Sequence, residues 1–305
     1  MSLGAVFPGQ GAQSVGMLAE LAEQFDSIEA RFDEASQALG FDMWQMVQNG
    51  PAEDLSATQN TQPVLLTASV AVWDVWRANA PLPAYVAGHS LGEYSALTSA
   101  GAMSFVDAVK LVRLRGELME AAVPRGQGAM AAVMGLEDDE IRECCEAVDG
   151  IVVAANFNAP GQVVIAGEAA AVEAGAEQCK AAGARRAVML DVSGPFHSPL
   201  MAAAKEEFAE ALNALALSMP EIPIVQNVNA SVPSNLDELR ANLLGQIAEP
   251  VLWSSCVTKM VELGVTEFVE CGPGSVLAGL IRRISKATPT IGLGTPDGLQ
   301  SAQND

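Results

Sequence analysis

The stretch YVAGHSLGEYSALTSA at residues 85–100 decides how the rest of the chain is read. Its first residues, Tyr85 to Gly88, form a short apolar run of the kind that ends a buried strand, and a helix-forming composition follows from Tyr94 to Ala100. Between them, Gly88-His89-Ser90-Leu91-Gly92 has the form G-x-S-x-G. On a sharp strand-to-helix turn the serine stands exposed at the sheet edge. The two glycines leave room for the turn, and backbone N–H groups at the helix start lie near a developing oxyanion. Two readings compete: Ser90 is a nucleophile, or it caps a helix in a glycine-rich turn. With 27 glycines in the chain, a match to the pattern alone is weak, and the strand-then-helix context favours the nucleophile.

A serine nucleophile needs a base, and the chain holds only two histidines, His89 and His197. His89 adjoins Ser90 on the turn, where neighbouring side chains point apart, so it is a poor base. His197 stands in Ser193-Gly194-Pro195-Phe196-His197-Ser198-Pro199, a Gly/Pro loop before a helical stretch, from which Nε2 can reach a serine. The alternative is a surface histidine. No acid is singled out as a third member. Asp191 is near in sequence, and a backbone carbonyl can orient an imidazole equally well, giving a Ser–His dyad. Arg115, in Arg113-Leu114-Arg115-Gly116-Glu117, either pairs with Glu117 or Glu120 on its own helix or projects into a cleft, where its planar fork suits a carboxylate. From the residues alone, pairing on the helix is the simpler reading. Gln10 and Gln13 are either pocket donors or ordinary loop residues.

Outward from the elbow, Leu3 to Phe7 reads as a buried strand stopped by Pro8 and Gly9. Residues 16–39 have apolar groups at helical spacing, as one amphipathic helix or two short ones. A largely apolar helix is expected from Pro63 to about Asn79, and another from Asp107 to Ala122. The order then changes to strand (129–134), helix (138–148), two strands (151–155 and 163–166), helix (169–182) and strand (187–190). That β-α-β-β-α-β series is a ferredoxin-like α+β unit. After residue 193 the α/β texture returns, with strands expected at Ile224–Asn227 and Thr266–Glu270. The expected fold class is α/β, with a large discontinuous domain over 1–124 and 194–294 and an inserted ferredoxin-like unit over 125–193. Residues 295–305 are polar and contain Gly and Pro, so a frayed tail is expected there.

Composition limits the partners. Half of the 305 residues are apolar and the mean hydropathy is +0.24, which excludes a disordered chain. Lys plus Arg total 16 against 37 Asp plus Glu, a net charge of −21. Such a balance argues against nucleic acid and against an anionic membrane surface as partners. Five cysteines without a CxxC pair, and two histidines, indicate reduced thiols in a cytoplasmic protein and no zinc cluster. The N-terminus lacks a signal-peptide pattern, and no run of 18 apolar residues occurs. Without a heptad or an exposed apolar seam, a monomer is expected.

Seven ordered motifs resemble the malonyl-CoA:acyl-carrier-protein transacylases. They are FPGQGAQ (7–13), GHSLGEY (88–94), RLRG (113–116), NFNAPGQVVIAG (156–167), FHSPLM (196–201), QIAEPVLW (246–253) and ECGPG (270–274). The resemblance implies an α/β-hydrolase-like domain with a ferredoxin-like insertion. It further implies Ser90 as nucleophile, His197 as base and Arg115 as the clamp for the malonyl carboxylate. The N–H groups of Gln10 and Leu91 would form the oxyanion hole, and the Gln246 carbonyl would orient His197. The implied reaction is ping-pong transfer of malonyl from malonyl-CoA, through an ester on Ser90, to the phosphopantetheine thiol of holo acyl carrier protein. No cofactor or metal is implied. Phe196 lies where related polyketide acyltransferases have phenylalanine for malonyl and serine for methylmalonyl, so it implies selection for malonyl. Carrier proteins are themselves acidic, so a local basic patch is required. Candidates are Arg282, Arg283 and Lys286, or Arg185 and Arg186.

Two rival classes differ in what they need. An ordinary serine esterase or thioesterase would use water as acceptor and an acidic triad member. A catalytically silent docking module for a carrier protein would not need Ser90, His197 and Arg115 together. Within the family, residue identities do not separate fatty-acid from polyketide or polyunsaturated-fatty-acid synthesis.

Overall fold

The computed structural model describes residues 2–304. Eight strands are described: β1 (Leu3–Phe7), β2 (Tyr85–Gly88), β3 (Gly128–Met134), β4 (Val152–Ala159), β5 (Gln162–Glu168), β6 (Arg186–Met189), β7 (Glu267–Glu270) and β8 (Thr290–Gly292). They form two sheets. The first is parallel, in the order β2-β1-β7-β8. The second is antiparallel, in the order β4-β5-β3-β6, with the helices Asp138–Glu146 and Ala169–Ala181 in the two crossovers. This is the ferredoxin-like arrangement.

β1 is a continuous apolar run because a central parallel strand is covered on both faces. Its side chains alternate between two cores. Ala5 and Phe7 join a core with Val64, Trp73, Leu97 and Val112, whereas Val6 joins Trp253, Val257, Met260 and Ile281 on the opposite face. The second sheet has its own core around Val133, Ile141, Ile165 and Val172. Its other face gives Met130, Val164 and Ala166 to the large core. The two sheets thus share apolar packing, and the space between them is where the candidate site lies.

The helix expected from Pro63 begins five residues earlier and spans Thr58–Arg77. The polar residues TQNTQ precede the apolar run, and three of them are buried in the first turns of the helix. Thr61 Oγ1 donates to the Leu55 carbonyl at 2.7 Å. Pro63 has no N–H for the Gln59 carbonyl, which accepts instead from Arg113 Nη1 at 3.3 Å. The strand expected at Ile224–Asn227 shrinks to one bridge, Val86 with Ile224. Its ladder stops because the Asn227 N–H is taken by the Glu93 carboxylate at 2.9 Å. The expected frayed tail is corrected as well. Pro296–Asn304 is a helix, anchored by Leu299 at 3 % exposure and begun by Thr295 Oγ1 accepting from the Gly298 N–H. Asp305 lies outside the described residues.

Close backbone approach fixes the elbow. A Cβ on Gly88 would overlap the Gly92 carbonyl and the Glu93 amide, and one on Gly92 would overlap the Phe7 carbonyl. The obstructing atoms are backbone, so no side chain can turn away. Gly88→Ala is expected to destabilise the protein by about 1–3 kcal/mol as forced overpacking. Gly279 faces open space in the helix Val276–Ile284, so Gly279→Ala should be neutral or stabilising by about 0.5–1 kcal/mol. Urea unfolding of the two variants tests this, and equal midpoints would contradict it.

Candidate active site

Ser90 closes β2 and opens the helix Leu91–Ser99, with φ 52° and ψ −109°. His197 has φ 59°. Both are non-glycine residues in left-handed backbone, a conformation costing on the order of 1–3 kcal/mol and held only where surroundings enforce it. The Ser90 N–H donates to Asn227 Oδ1 at 2.8 Å, and the Ser90 carbonyl accepts from Gln246 Nε2 at 3.0 Å. For His197, the Ser198 hydroxyl donates to the Pro195 carbonyl at 2.6 Å, tightening the loop.

The two side chains meet across the sheet edge: Ser90 Oγ is 2.7 Å from His197 Nε2. His197 Nδ1 is 2.7 Å from the Gln246 backbone carbonyl. A carbonyl only accepts, so Nδ1 carries the proton, Nε2 holds the lone pair, and Ser90 donates its hydroxyl proton to it. Burial, and then the nearby Arg115 charge, push the His197 pKa down to about 3 against the acceptance of Nδ1–H by Gln246. The imidazole is therefore neutral at neutral pH. Asp191 is exposed and takes no part in this pair. His89 turns to Asn158 Oδ1 at 2.7 Å, away from Ser90 Oγ, and burial lowers its pKa.

Arg115 is 1 % exposed and pairs with neither Glu117 nor Glu120. Arg113 takes Glu117 instead, at 2.6 Å. Arg115 Nη1 donates to Gln62 Oε1 at 2.8 Å, while Nη2 donates to Gln246 Oε1 at 2.9 Å and to Ser90 Oγ at 3.3 Å. All three acceptors are neutral. The Glu93 carboxylate acts on this guanidinium through space and makes no hydrogen bond to it, so a buried charge beside Ser90 is left with neutral hydrogen-bond partners alone.

Ser90, His197, Arg115, Gln10, Leu91 and Phe196 line one cavity of about 220 Å³. Asn156, Asn158 and Val164 of the second sheet close it from the other side. Gln246 lies behind the cavity, fully buried. Gln13 is not part of it. Its Oε1 accepts from the Gly11 N–H at 2.7 Å and shapes the loop that carries Gln10. Gly9 lets this loop press against the elbow, since a Cβ there would strike the His89 carbonyl. Sequence reasoning missed Gln62, Glu93, Asn227 and Asn158. The available signal was Glu93 itself, a charged residue inside the glycine-framed elbow helix.

Comparison with known proteins places the chain in a family. The family described as acyl transferase domain matches residues 5–292. The malonyl CoA-acyl carrier protein transacylase of Escherichia coli K12 is 49% identical over 300 residues, covering 97% of each chain. An acyl carrier protein S-malonyltransferase of Vibrio cholerae superposes with a TM-score of 0.96 at 48% identity, covering 99% of both chains. A malonyl-transacylase in complex with its holo type II polyketide-synthase acyl-carrier protein gives a TM-score of 0.98 at 45% identity, covering 100% of this chain and 99% of that one. The chain belongs to the malonyl-CoA:acyl-carrier-protein transacylases, within the acyl transferase domain family.

Proposed function

We propose that this acyltransferase moves malonyl from malonyl-CoA to holo acyl carrier protein through an ester on Ser90. The observation that carries the assignment of roles is the buried Arg115, whose hydrogen-bond partners are all neutral and which stands 3.3 Å from Ser90 Oγ. In this reading the malonyl carboxylate pairs with Arg115, which sets the thioester carbonyl against Ser90. His197 takes the serine proton as Oγ attacks. The oxyanion is held by the N–H groups of Leu91, at the helix start, and Gln10. Protonated His197 then gives its proton to the departing coenzyme A thiol. The carrier's phosphopantetheine thiol reverses these steps, losing its proton to His197. Side chains and backbone carry every step, and no cofactor is needed.

The Arg115 charge is the second cause of the low His197 pKa. Pairing it with the substrate carboxylate removes that suppression. The base therefore strengthens when the acyl seat is correctly filled. Phe196, 7 % exposed at the cavity wall, crowds an α-methyl group and limits water around the ester.

We place the carrier's docking patch where the two basic groups converge. Arg283 donates to Gln162 Oε1 at one side of the β4–β5 turn. Arg185 lies over Gly135, whose N–H donates to the Gly161 carbonyl in the same turn. All of Arg185, Arg186, Arg282, Arg283 and Lys286 are exposed. The turn follows Asn158, a cavity residue, so a carrier bound there has a short path to Ser90. All the proposed groups belong to one chain, so we take a monomer as the working unit, with 125–193 inserted into a domain formed by 1–124 and 194–294. No helix among the described residues is long and apolar enough to cross a membrane. We place the enzyme in the cytoplasm, where its five free thiols stay reduced.

Wild type should transfer malonyl to holo carrier with little hydrolysis, and Arg115→Ala should lower malonyl kcat/KM by about a hundredfold, the loss of a buried charged contact, while acetyl transfer changes little. Phe196→Ala should raise methylmalonyl transfer and hydrolysis. Hydrolysis of every acyl-CoA by wild type would favour a thioesterase instead. Arg283→Glu with Arg185→Glu should raise KM for the carrier and leave KM for malonyl-CoA unchanged; an unchanged carrier KM would remove the docking assignment.

The buried base also predicts acid sensitivity. Between its folded pKa of about 3 and the ordinary 6.5, the unfolded chain binds a proton at His197 that the folded chain does not. This contribution to stability is full above 6.5 and is lost as pH falls toward 3. Glu93, raised to about 7 from 4.5, acts in the opposite sense and loses its contribution as pH rises through that window. In His197→Gln only the first term disappears. Urea unfolding between about pH 4 and 6.5 should show a shallower rise of stability with pH in this variant than in wild type; parallel curves would contradict a neutral buried His197.

A further inference from the structure

Glu93 is fully buried in the first turn of the elbow helix, three residues after Ser90. Three donors from two parts of the chain converge on its carboxylate. The Asn227 N–H and Gln246 Nε2 reach Oε2 at 2.9 and 3.0 Å, and Gln226 Nε2 reaches Oε1 at 3.0 Å. A carboxylate only accepts, and these bonds are strengthened by its charge. Gln246 must therefore turn its NH₂ toward Glu93. Its Oε1 then points the other way, to Arg115 Nη2. The same residue's backbone carbonyl meets His197 Nδ1. Asn227, held through its own N–H, accepts from the Ser90 N–H through Oδ1 and donates Nδ2 to the Gly88 carbonyl.

We propose that Glu93 is a positioning residue for the reaction: by fixing the amide of Gln246 and the backbone of Asn227, it sets the aim of Arg115 toward the acyl carboxylate and holds Ser90 and His197 in register. The proposal rests on the reading of Arg115 as the carboxylate seat. Glu93 touches neither substrate nor the reacting atoms. It acts through Gln246 on both the seat, which only a dicarboxylic acyl group uses, and the base, which every acyl group uses.

That division supplies the test. The malonyl-to-acetyl ratio of kcat/KM is measured for wild type, Arg115→Ala, Glu93→Ala and Glu93→Gln, with the active fraction counted by intact-mass labelling of Ser90. Glu93→Ala should lower kcat for both acyl groups and reduce the ratio by about tenfold, the scale of one mispaired buried donor. Glu93→Gln, which keeps one acceptor oxygen, should retain more of the ratio. A merely structural Glu93 would lower the active fraction and leave the ratio intact, and that result overturns the proposal. If Arg115→Ala itself leaves the ratio unchanged, the reading of the seat has failed instead.

Should the Glu93 variants not fold, the wild-type ratio across about pH 5.5 to 8.5 decides. Burial raises the Glu93 pKa to about 7, opposed by its three donors and by Arg115. The other titratable or charged groups facing it are Arg115, Tyr94 and Cys256. Burial raises the last two well above this range. The kcat/KM ratio reports the free enzyme, in which Arg115 stays charged and His197, with a pKa of about 3, is neutral throughout this range. The ratio should fall as Glu93 is protonated on the acid side, and a flat ratio overturns the proposal.

Discussion

Gln246 holds the site from two directions at once. Its backbone carbonyl fixes the His197 tautomer, and its side-chain amide bridges Arg115, the Ser90 carbonyl and Glu93. Such double use ties His197 and Arg115 to a single residue at the end of the helix Leu236–Gly245. Movement of this helix end would displace both together. Because Gln246 is fully buried, packing on all sides fixes its two sets of bonds. The strained backbone of Ser90 and His197 is tolerable only within such an enforced frame.

The elbow, the strands β1, β2 and β7 and the ferredoxin-like series were legible because each is a local pattern, an apolar run, a pair of glycines or an alternation of periods, whereas β8 (Thr290–Gly292) was not expected. The misread elements depended on distant partners. The helix was expected only from Pro63 because nothing local says that Gln62 will face a guanidinium fifty-three residues away. Ile224–Asn227 looked like a strand because the diversion of the Asn227 N–H requires Glu93, far earlier in the chain. Arg115 was different, since spacing could have corrected it. Glu117 is two positions away and Glu120 five, and neither spacing places side chains side by side on a helix. Arg113 and Glu117 stand at the favourable i,i+4 spacing, which leaves Arg115 on another face. The roles of Gln10, Leu91 and Gln246 came from the family resemblance alone. A residue acting through its backbone leaves no side-chain signature.

The charge distribution has the same economy. A chain with a net charge of −21 repels an acidic partner at long range. In the proposed docking mode the exposed cations flanking the β4–β5 turn, Arg185 and Arg186 on one side and Arg282 and Arg283 on the other, offset that general repulsion locally. Arg115, the one buried cation among the described residues, is shielded from solvent and coupled to Glu93, Tyr94 and His197 around it.

The imidazole that leans on a carbonyl has a chemical consequence of its own. In the proposed cycle no anion waits behind His197 to balance the imidazolium formed as Ser90 attacks. Such a site is poorly supplied for expelling a strongly basic amine. It is better matched to thiols, which ionise near pH 8.5 and leave readily. Over the full cycle the departing and attacking thiols are chemically alike, so the overall transfer stands close to thermoneutral. The enzyme in that case sets the speed of exchange between two carriers, and the relative abundance of loaded and unloaded thiols sets its direction.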